Sequence, residues 1–147
     1  MHLSHSGIIG LIPHKGAMCL LDEVCHYDSD SVTCISNSHL RPDHPLRKDG
    51  MLSAIHALEY AAQAMAVHGA LMARSCGTPI APGLMVALSD TRVLVERLDT
   101  LKAPLVVSAQ RIVLNHASLI YRFEMFAGEI AIADGRAIIM CRTKETA

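Results

Sequence analysis

Glu59 is the one carboxylate inside the long apolar run from Met51 to Ala73, MLSAIHALEYAAQAMAVHGALMA. Ala, Leu, Met and Ile dominate that run, the composition of a helix buried on nearly every side. At helical spacing His56, Glu59 and Gln63 fall within about 60° of one another, on one narrow stripe. Keeping a lone carboxylate ionised there costs several kcal/mol without a partner, so the group is expected to be paired, protonated or put to use. Ahead of the helix lies a polar segment, Asn37 to Gly50, NSHLRPDHPLRKDG, broken by Pro42 and Pro45 and carrying His39 and His44. A loop of that length is more often functional than idle, and an imidazole titrates close enough to neutrality to serve as a general base.

The helix that positions the stripe would be roughly 35 Å long. Ser53 is placed to cap it ahead of Ala54, Gly77 and Pro79 end it, and Arg74 sits in the last turn, where the dipole favours a cation. Upstream, an apolar piece from Ile8 to Ile12 is stopped by the turn composition Pro13-His14-Lys15-Gly16. Met18 to Tyr27 and Val32 to Ser36 read as paired strands around Asp28-Ser29-Asp30-Ser31. Beyond Pro82-Gly83 the pattern turns extended, with strands expected over Leu84–Leu98, Pro104–Asn115, Ser118–Ala127 and Glu129–Arg142. Leu119, Tyr121, Phe123 and Met125 alternate onto one face of the third of these. Arg122 and Glu124 point the other way, to a face that is wet or at a subunit contact. Short separators imply antiparallel pairing. The class is α+β, and a sheet of five to six strands can bury such a helix only by curling around it, which is the hotdog fold. Residues 1–147 are read as a single domain, without repeats or linkers.

Composition narrows the function. The chain has 147 residues, 51% hydrophobic and 18% charged, with net charge −1. With no basic run, no Trp and 3% aromatic residues, it is not expected to bind nucleic acid or anionic lipid. Five cysteines without a C-x-x-C pair read as free thiols of a cytoplasmic protein. Nine histidines include no H-x-x-x-H pair, so no metal site is expected. The start has neither the basic region nor the apolar run of a signal peptide. The central run is long enough to span a bilayer, but its polar residues and the strands after it argue against a membrane span.

Two stretches resemble a known family. LIPHKGAMCLLDEV, Leu11 to Val24, is similar to the opening of 3-hydroxyacyl-[acyl-carrier-protein] dehydratases, with Lys15 where the family has Arg and Ala17 where it has Pro. Glu59-Tyr60-Ala61-Ala62-Gln63 resembles that family's E-x-x-A-Q. The closer resemblance is to the branch associated with aryl polyene and xanthomonadin pigments, through His44–Gly50 (HPLRKDG) and Leu58–Leu71.

The resemblance implies a hotdog dimer acting on acyl thioesters carried by acyl carrier protein or coenzyme A. A helix acid from one protomer faces a loop histidine from the other, with no metal or organic cofactor. By position Glu59 is the acid and Gln63 its neighbour in the substrate site. The histidine is His39 or His44, since Ser38–Pro45 echoes the family's G-H-F-P-x-H-P with one extra residue. His56 would bind substrate or orient the carboxyl. In dehydration the imidazole takes the α-proton, while a carboxyl kept neutral by its apolar setting donates to the leaving hydroxyl. Free N–H groups around Ala54 to His56 would hold the enolate-like oxygen, and the acyl chain would lie beside the helix. His14 and His68 are expected to pack, and Arg92 to pair with an acid rather than bind phosphate. A homodimer is the expected assembly. Two alternatives stay open: an acyl thioesterase of the same fold, and a non-catalytic subunit of a hetero-oligomeric dehydratase.

Overall fold

In the strand Ser118–Ala127, Tyr121, Phe123, Met125 and Ala127 are buried while Arg122, Glu124 and Phe126 are exposed, so one face makes core and the other does not. The computed structural model describes residues 2–13, 16–78, 83–115 and 118–141. Seven strands form one sheet: β1 (Leu3–Ser4), β2 (Glu23–Tyr27), β3 (Ser31–Ser36), β4 (Gly83–Val93), β5 (Leu105–Leu114), β6 (Ser118–Ala127) and β7 (Ile130–Cys141). Their order is β1-β2-β3-β5-β6-β7-β4, and every neighbouring pair is antiparallel. The sheet curls around one long helix, so the expected hotdog architecture is present. The strand beyond the expected six is β1, two residues long and too short to leave a period in the sequence.

A short helix, α1 (His5–Ile9), precedes β2, and the long helix is α2 (Ala57–Ser75). A 3-10 turn, Ala54–His56, leads into α2, and Ser53 Oγ accepts the Ile55 N–H at 3.3 Å, the cap the sequence predicts. Gly77, at φ +67°, follows its last turn, which holds Arg74. Ala57, Ala61, Ala64, Met65, Val67 and Leu71 of α2 join Leu105, Val107, Phe123, Met125 and Ile132 in one core. Each large apolar side chain buried there contributes about 1.5–3 kcal/mol. Composition suggests burial on nearly every side, but the helix has an open outer stripe: Glu59, Ala62 and Gly69 are half-buried and Ala66 is exposed, as is Ile55 just ahead of it.

Two strand boundaries differ from the sequence expectation by more than one residue, each because local backbone groups are used elsewhere. Residues 19–22 lie outside β2: Asp22 N–H still reaches Ile35 C=O of β3 (3.0 Å), but the Leu20 amide and carbonyl are bonded to side chains rather than to a neighbouring strand. β4 ends at Val93 rather than Leu98. The chain then leaves to hold the entry of α2: Glu96 C=O accepts the Ala54 N–H (3.0 Å), and Leu98 N–H donates to Leu52 C=O (2.8 Å).

His68 is fully buried, as expected. Its Nε2–H donates to Asp28 C=O (2.9 Å), leaving Nδ1 to accept from Tyr121 Oη (2.6 Å). It therefore ties α2 to β6 and to the β2–β3 turn. Among the described residues Cys19, Cys25, Cys34 and Cys76 are free, and burial pushes the Cys34 thiol up to about 12. No described helix is long and apolar enough to cross a membrane, and no described group of three His, Cys, Asp or Glu is arranged to hold a metal. His14, Lys15, Pro79 and Pro82 lie outside the described residues.

Gly135 of β7 lies under a bulge of β4 at which Asp90 has φ +49°. A Cβ at Gly135 would lie 2.5 Å from Thr91 Oγ1, 3.0 Å from Thr91 Cα and 3.1 Å from Phe123 Cζ. Gly135→Ala is therefore expected to destabilise by about 1–3 kcal/mol, the range for overpacking, read from the urea midpoint.

Candidate active site

The 37–50 segment is ordered by its own side chains. Arg47 spans it: Nε donates to Arg41 C=O (2.9 Å), Nη1 to Gly50 C=O (2.7 Å) and Nη2 to His39 C=O (3.0 Å). Lys48 and Met51 exchange both backbone bonds (2.8 and 3.0 Å) around Asp49 (φ +53°) and Gly50 (φ +74°). Two consecutive positive φ values make a type I′ turn, for which Asp-Gly is a favoured pair. The HPLRKDG run thus encodes a clamp and a turn.

That turn delivers the chain to the start of α2, where Leu52 N–H donates to Asp99 Oδ1 (2.9 Å). Arg97 pairs with Asp99 through two hydrogen bonds and holds its carboxyl below the usual carboxylate range. The amides expected to be free for an oxyanion are occupied. Ala54 N–H goes to Glu96 C=O, Ile55 N–H to Ser53 Oγ and His56 N–H to Ser53 C=O (3.2 Å). Anchoring the helix entry to the 96–99 segment consumes these donors, so an oxyanion would need others.

His44 is 3% exposed and bonded at both ring nitrogens. Leu46 N–H donates to Nδ1 (3.1 Å), so in the neutral ring the proton is on Nε2 and is donated to Tyr60 Oη (3.0 Å). Tyr60 Oη lies 2.6 Å from Ser38 Oγ, and Ser38 O–H donates to Leu20 C=O (2.8 Å). Ser36 O–H reaches the same carbonyl at 2.5 Å. Burial, followed by the charges of Arg41 and Arg47, pushes His44 down to about 4. Burial also pushes the Tyr60 hydroxyl up to about 12. This is a neutral hydrogen-bonded line from the loop, through α2, to the extended stretch before β2.

Gln63, fully buried one turn along α2, holds that stretch from the other side. Its Oε1 accepts Leu20 N–H (2.9 Å), and its Nε2 donates to Met18 C=O (2.7 Å) and Glu59 Oε1 (3.2 Å). Its side-chain amide is directed inward and braces the Glu59 carboxyl. Glu59 itself is half-buried on the outer stripe of α2.

The other candidates lie elsewhere. His39 is fully buried, with Nε2–H donated to Leu101 C=O (2.8 Å), and its Nδ1 is the one buried side-chain polar atom without a hydrogen-bond partner among the described residues. Burial lowers its pKa as well. His56 is half-buried and borders a cleft of about 290 Å³ shared with Met51, Ser53 and Arg97. The structure therefore brings Glu59 and Gln63 together and joins His44 to Tyr60, while His39 faces the 101–103 segment. Sequence reasoning missed Tyr60, Ser38 and Arg47. The usable signals were a tyrosine in an otherwise alanine-rich helix, whose buried hydroxyl needs a partner, and an arginine beside a turn dipeptide.

A sequence model of the ApeP-like dehydratases, described as ApeP dehydratase, matches residues 7–146. The chain belongs to the ApeP-like dehydratase family. No curated protein sequence gives a match. Of the solved structures, the dehydratase heterocomplex ApeI:P from Xenorhabdus doucetiae superposes with TM-score 0.81 at 19% identity, over 93% of this chain and 91% of that one. A putative thioesterase from Silicibacter sp. gives TM-score 0.66 at 12% identity, over 96% and 93% of the two chains. A hypothetical thioesterase from Streptococcus pneumoniae, solved with coenzyme A, gives 0.58 at 10%, over 81% and 84%. At these identities the structural likeness shows a shared fold, and the family match carries the dehydratase assignment.

The depressed His44 pKa has a consequence for stability. The unfolded chain takes up its proton near 6.5, whereas the folded chain takes it up only near 4, so in that window the unfolded state binds more protons. This contribution is present above pH 6.5 and is lost as pH falls towards 4. His39 and His68 act in the same direction. Unfolding free energy from urea titrations is expected to drop between pH 7 and pH 5, and His44→Gln to make that drop smaller.

Proposed function

We propose that this ApeP-like protein dehydrates 3-hydroxyacyl thioesters in an aryl polyene-type pathway, on substrates carried by acyl carrier protein, and that Glu59 is its acid. The observation that carries the reading is the Glu59 carboxyl, on the open stripe of α2 and held from behind by the buried amide of Gln63. Such a brace fixes the direction of the carboxyl, as delivery of a proton to a leaving hydroxyl requires. Gln63 acts as a positioning residue, because its polar atoms are engaged inside the chain. His44 positions the loop against Tyr60, and His56 borders the cleft where substrate would enter.

The working form is a dimer. Among the described residues β4 ends the sheet with one edge unpaired, and Leu88, Val93 and Leu94 there are exposed. A second hotdog protomer added along this edge would cover it and the small-residue stripe of α2. Homodimer and hetero-dimer both satisfy this, and one observation favours the hetero-dimer. A base needs an accessible lone pair, yet the lone pair of His44 is turned to Leu46 N–H and that of His39 is enclosed. In that arrangement this chain supplies the acid and a dehydratase-like partner supplies the imidazole.

Hydration of crotonyl- or longer enoyl-thioesters, by the chain alone and with a co-expressed dehydratase-like partner, tests the reading. Glu59→Gln is expected to lower the rate about 10²–10⁴-fold in whichever assembly is active. Unchanged turnover in Glu59→Gln overturns the assignment of the acid, and release of free thiol without enoyl turnover points to a thioesterase. Turnover only with the partner establishes the hetero-dimer.

A further inference from the structure

The outer face of the sheet, remote from Glu59, carries an ordered pattern. Strand registers align its outward side chains into four bands running across β5, β6 and β7. The first is Val106, Phe126 and Ala131, and the second is Ser108, Glu124 and Asp134. The third is Gln110, Arg122 and Arg136, and the fourth is Val113, Ile120 and Ile138. The order is apolar, acidic, basic, apolar, with successive bands about 7 Å apart.

Within the middle bands like charges stand directly opposite one another: Glu124 beside Asp134, and Arg122 beside Arg136. Such pairs cost stability in an isolated sheet. Arg92 of β4 offsets part of this by pairing with Asp134 (2.6 and 3.1 Å), as the sequence suggested it would find an acid. Arg122, Glu124 and Arg136 stay exposed, as do Phe126 and Val113, at 36% and 40%.

This pattern is its own complement. A two-fold axis lying in the plane of the face, midway between the charged bands and parallel to them, reverses the strand direction of a second copy. It sets Glu124 over the partner subunit's Arg122, and Asp134 over the partner subunit's Arg136. Each outer apolar band meets the opposite one. Isologous contacts require that kind of self-matching surface, and a small-molecule site would not. Asp90, Glu124 and Asp134 balance Arg92, Arg122 and Arg136, so two copies meet without net repulsion.

We infer that the outer faces of β5, β6 and β7 are a docking surface for a second copy of this chain, stacked face to face through the Glu124–Arg122 and Asp134–Arg136 bands. The contact doubles whatever assembly forms along β4, and it stands independently of the proposed chemistry.

Sedimentation velocity on the full chain tests it, in about 0.05 M and about 0.5 M salt, where the screening lengths differ more than two-fold. The mass is expected to halve on going to high salt. Arg122→Glu is expected to halve it at low salt, by setting acid against acid. The double variant Arg122→Glu with Glu124→Arg exchanges the two signs on β6 and restores complementarity, so the larger mass should return. Glu124→Arg replaces the first single variant if circular dichroism shows that variant unfolded. One mass in every variant and at both salt concentrations overturns the inference. So does a double variant that folds but stays at the smaller mass.

Discussion

The side-chain amide of Gln63 takes the Leu20 N–H and gives its own hydrogens to Met18 C=O and Glu59. Much of the candidate site depends on that one group. Leu20 lies just ahead of β2 with both its backbone groups bonded to side chains, and a buried peptide unit without partners costs about 1–3 kcal/mol for each unmet group. Gln63 answers for the amide side, while Ser36 and Ser38 answer for the carbonyl. The same bonds press the 16–22 segment onto α2 and stop Glu59 from turning freely. A requirement of the core, that no buried polar group go unpaired, thus also braces the Glu59 carboxyl.

The line from His44 through Tyr60 to Ser38 extends this logic to the long loop. Each donor has one acceptor along it, which selects the His44 tautomer with its proton on Nε2. Satisfied networks of this kind are rigid, and rigidity at the entry to α2 matters more here than an extra titrating group. The Nδ1 lone pair of His44 faces the Leu46 N–H and Nε2 faces Tyr60 Oη, so the bonds that hold the loop in place occupy both ring nitrogens.

The sheet has one face in the core and another that is exposed. Its inner residues pack on α2 with little polar content, while the outer face carries an acidic row beside a basic row. The edge strand β4 and the outer stripe of α2 are likewise exposed or half-buried among the described residues.

Periodicity alone determined the class, the helix and its cap, and most strands, because burial on one face imposes a period of 3.6 on helices and 2 on strands. Ser118–Ala127 appears with the ends the alternation predicts, and Glu59 and Gln63 share a stripe because four residues separate neighbours on a helix. Only the tertiary structure decided which partners the polar groups found. That His44 meets Tyr60, that His39 turns to Leu101, and that the amides of Ala54–His56 are consumed by Ser53 and Glu96 depend on segments far apart in the chain. Hydrogen bonds are short-ranged and directional, so spacing along a sequence carries no record of them. The early end of β4 has the same origin: Leu94 N–H still reaches Ile132 C=O of β7, but the backbone of Glu96 and Leu98 is bonded at the entry to α2.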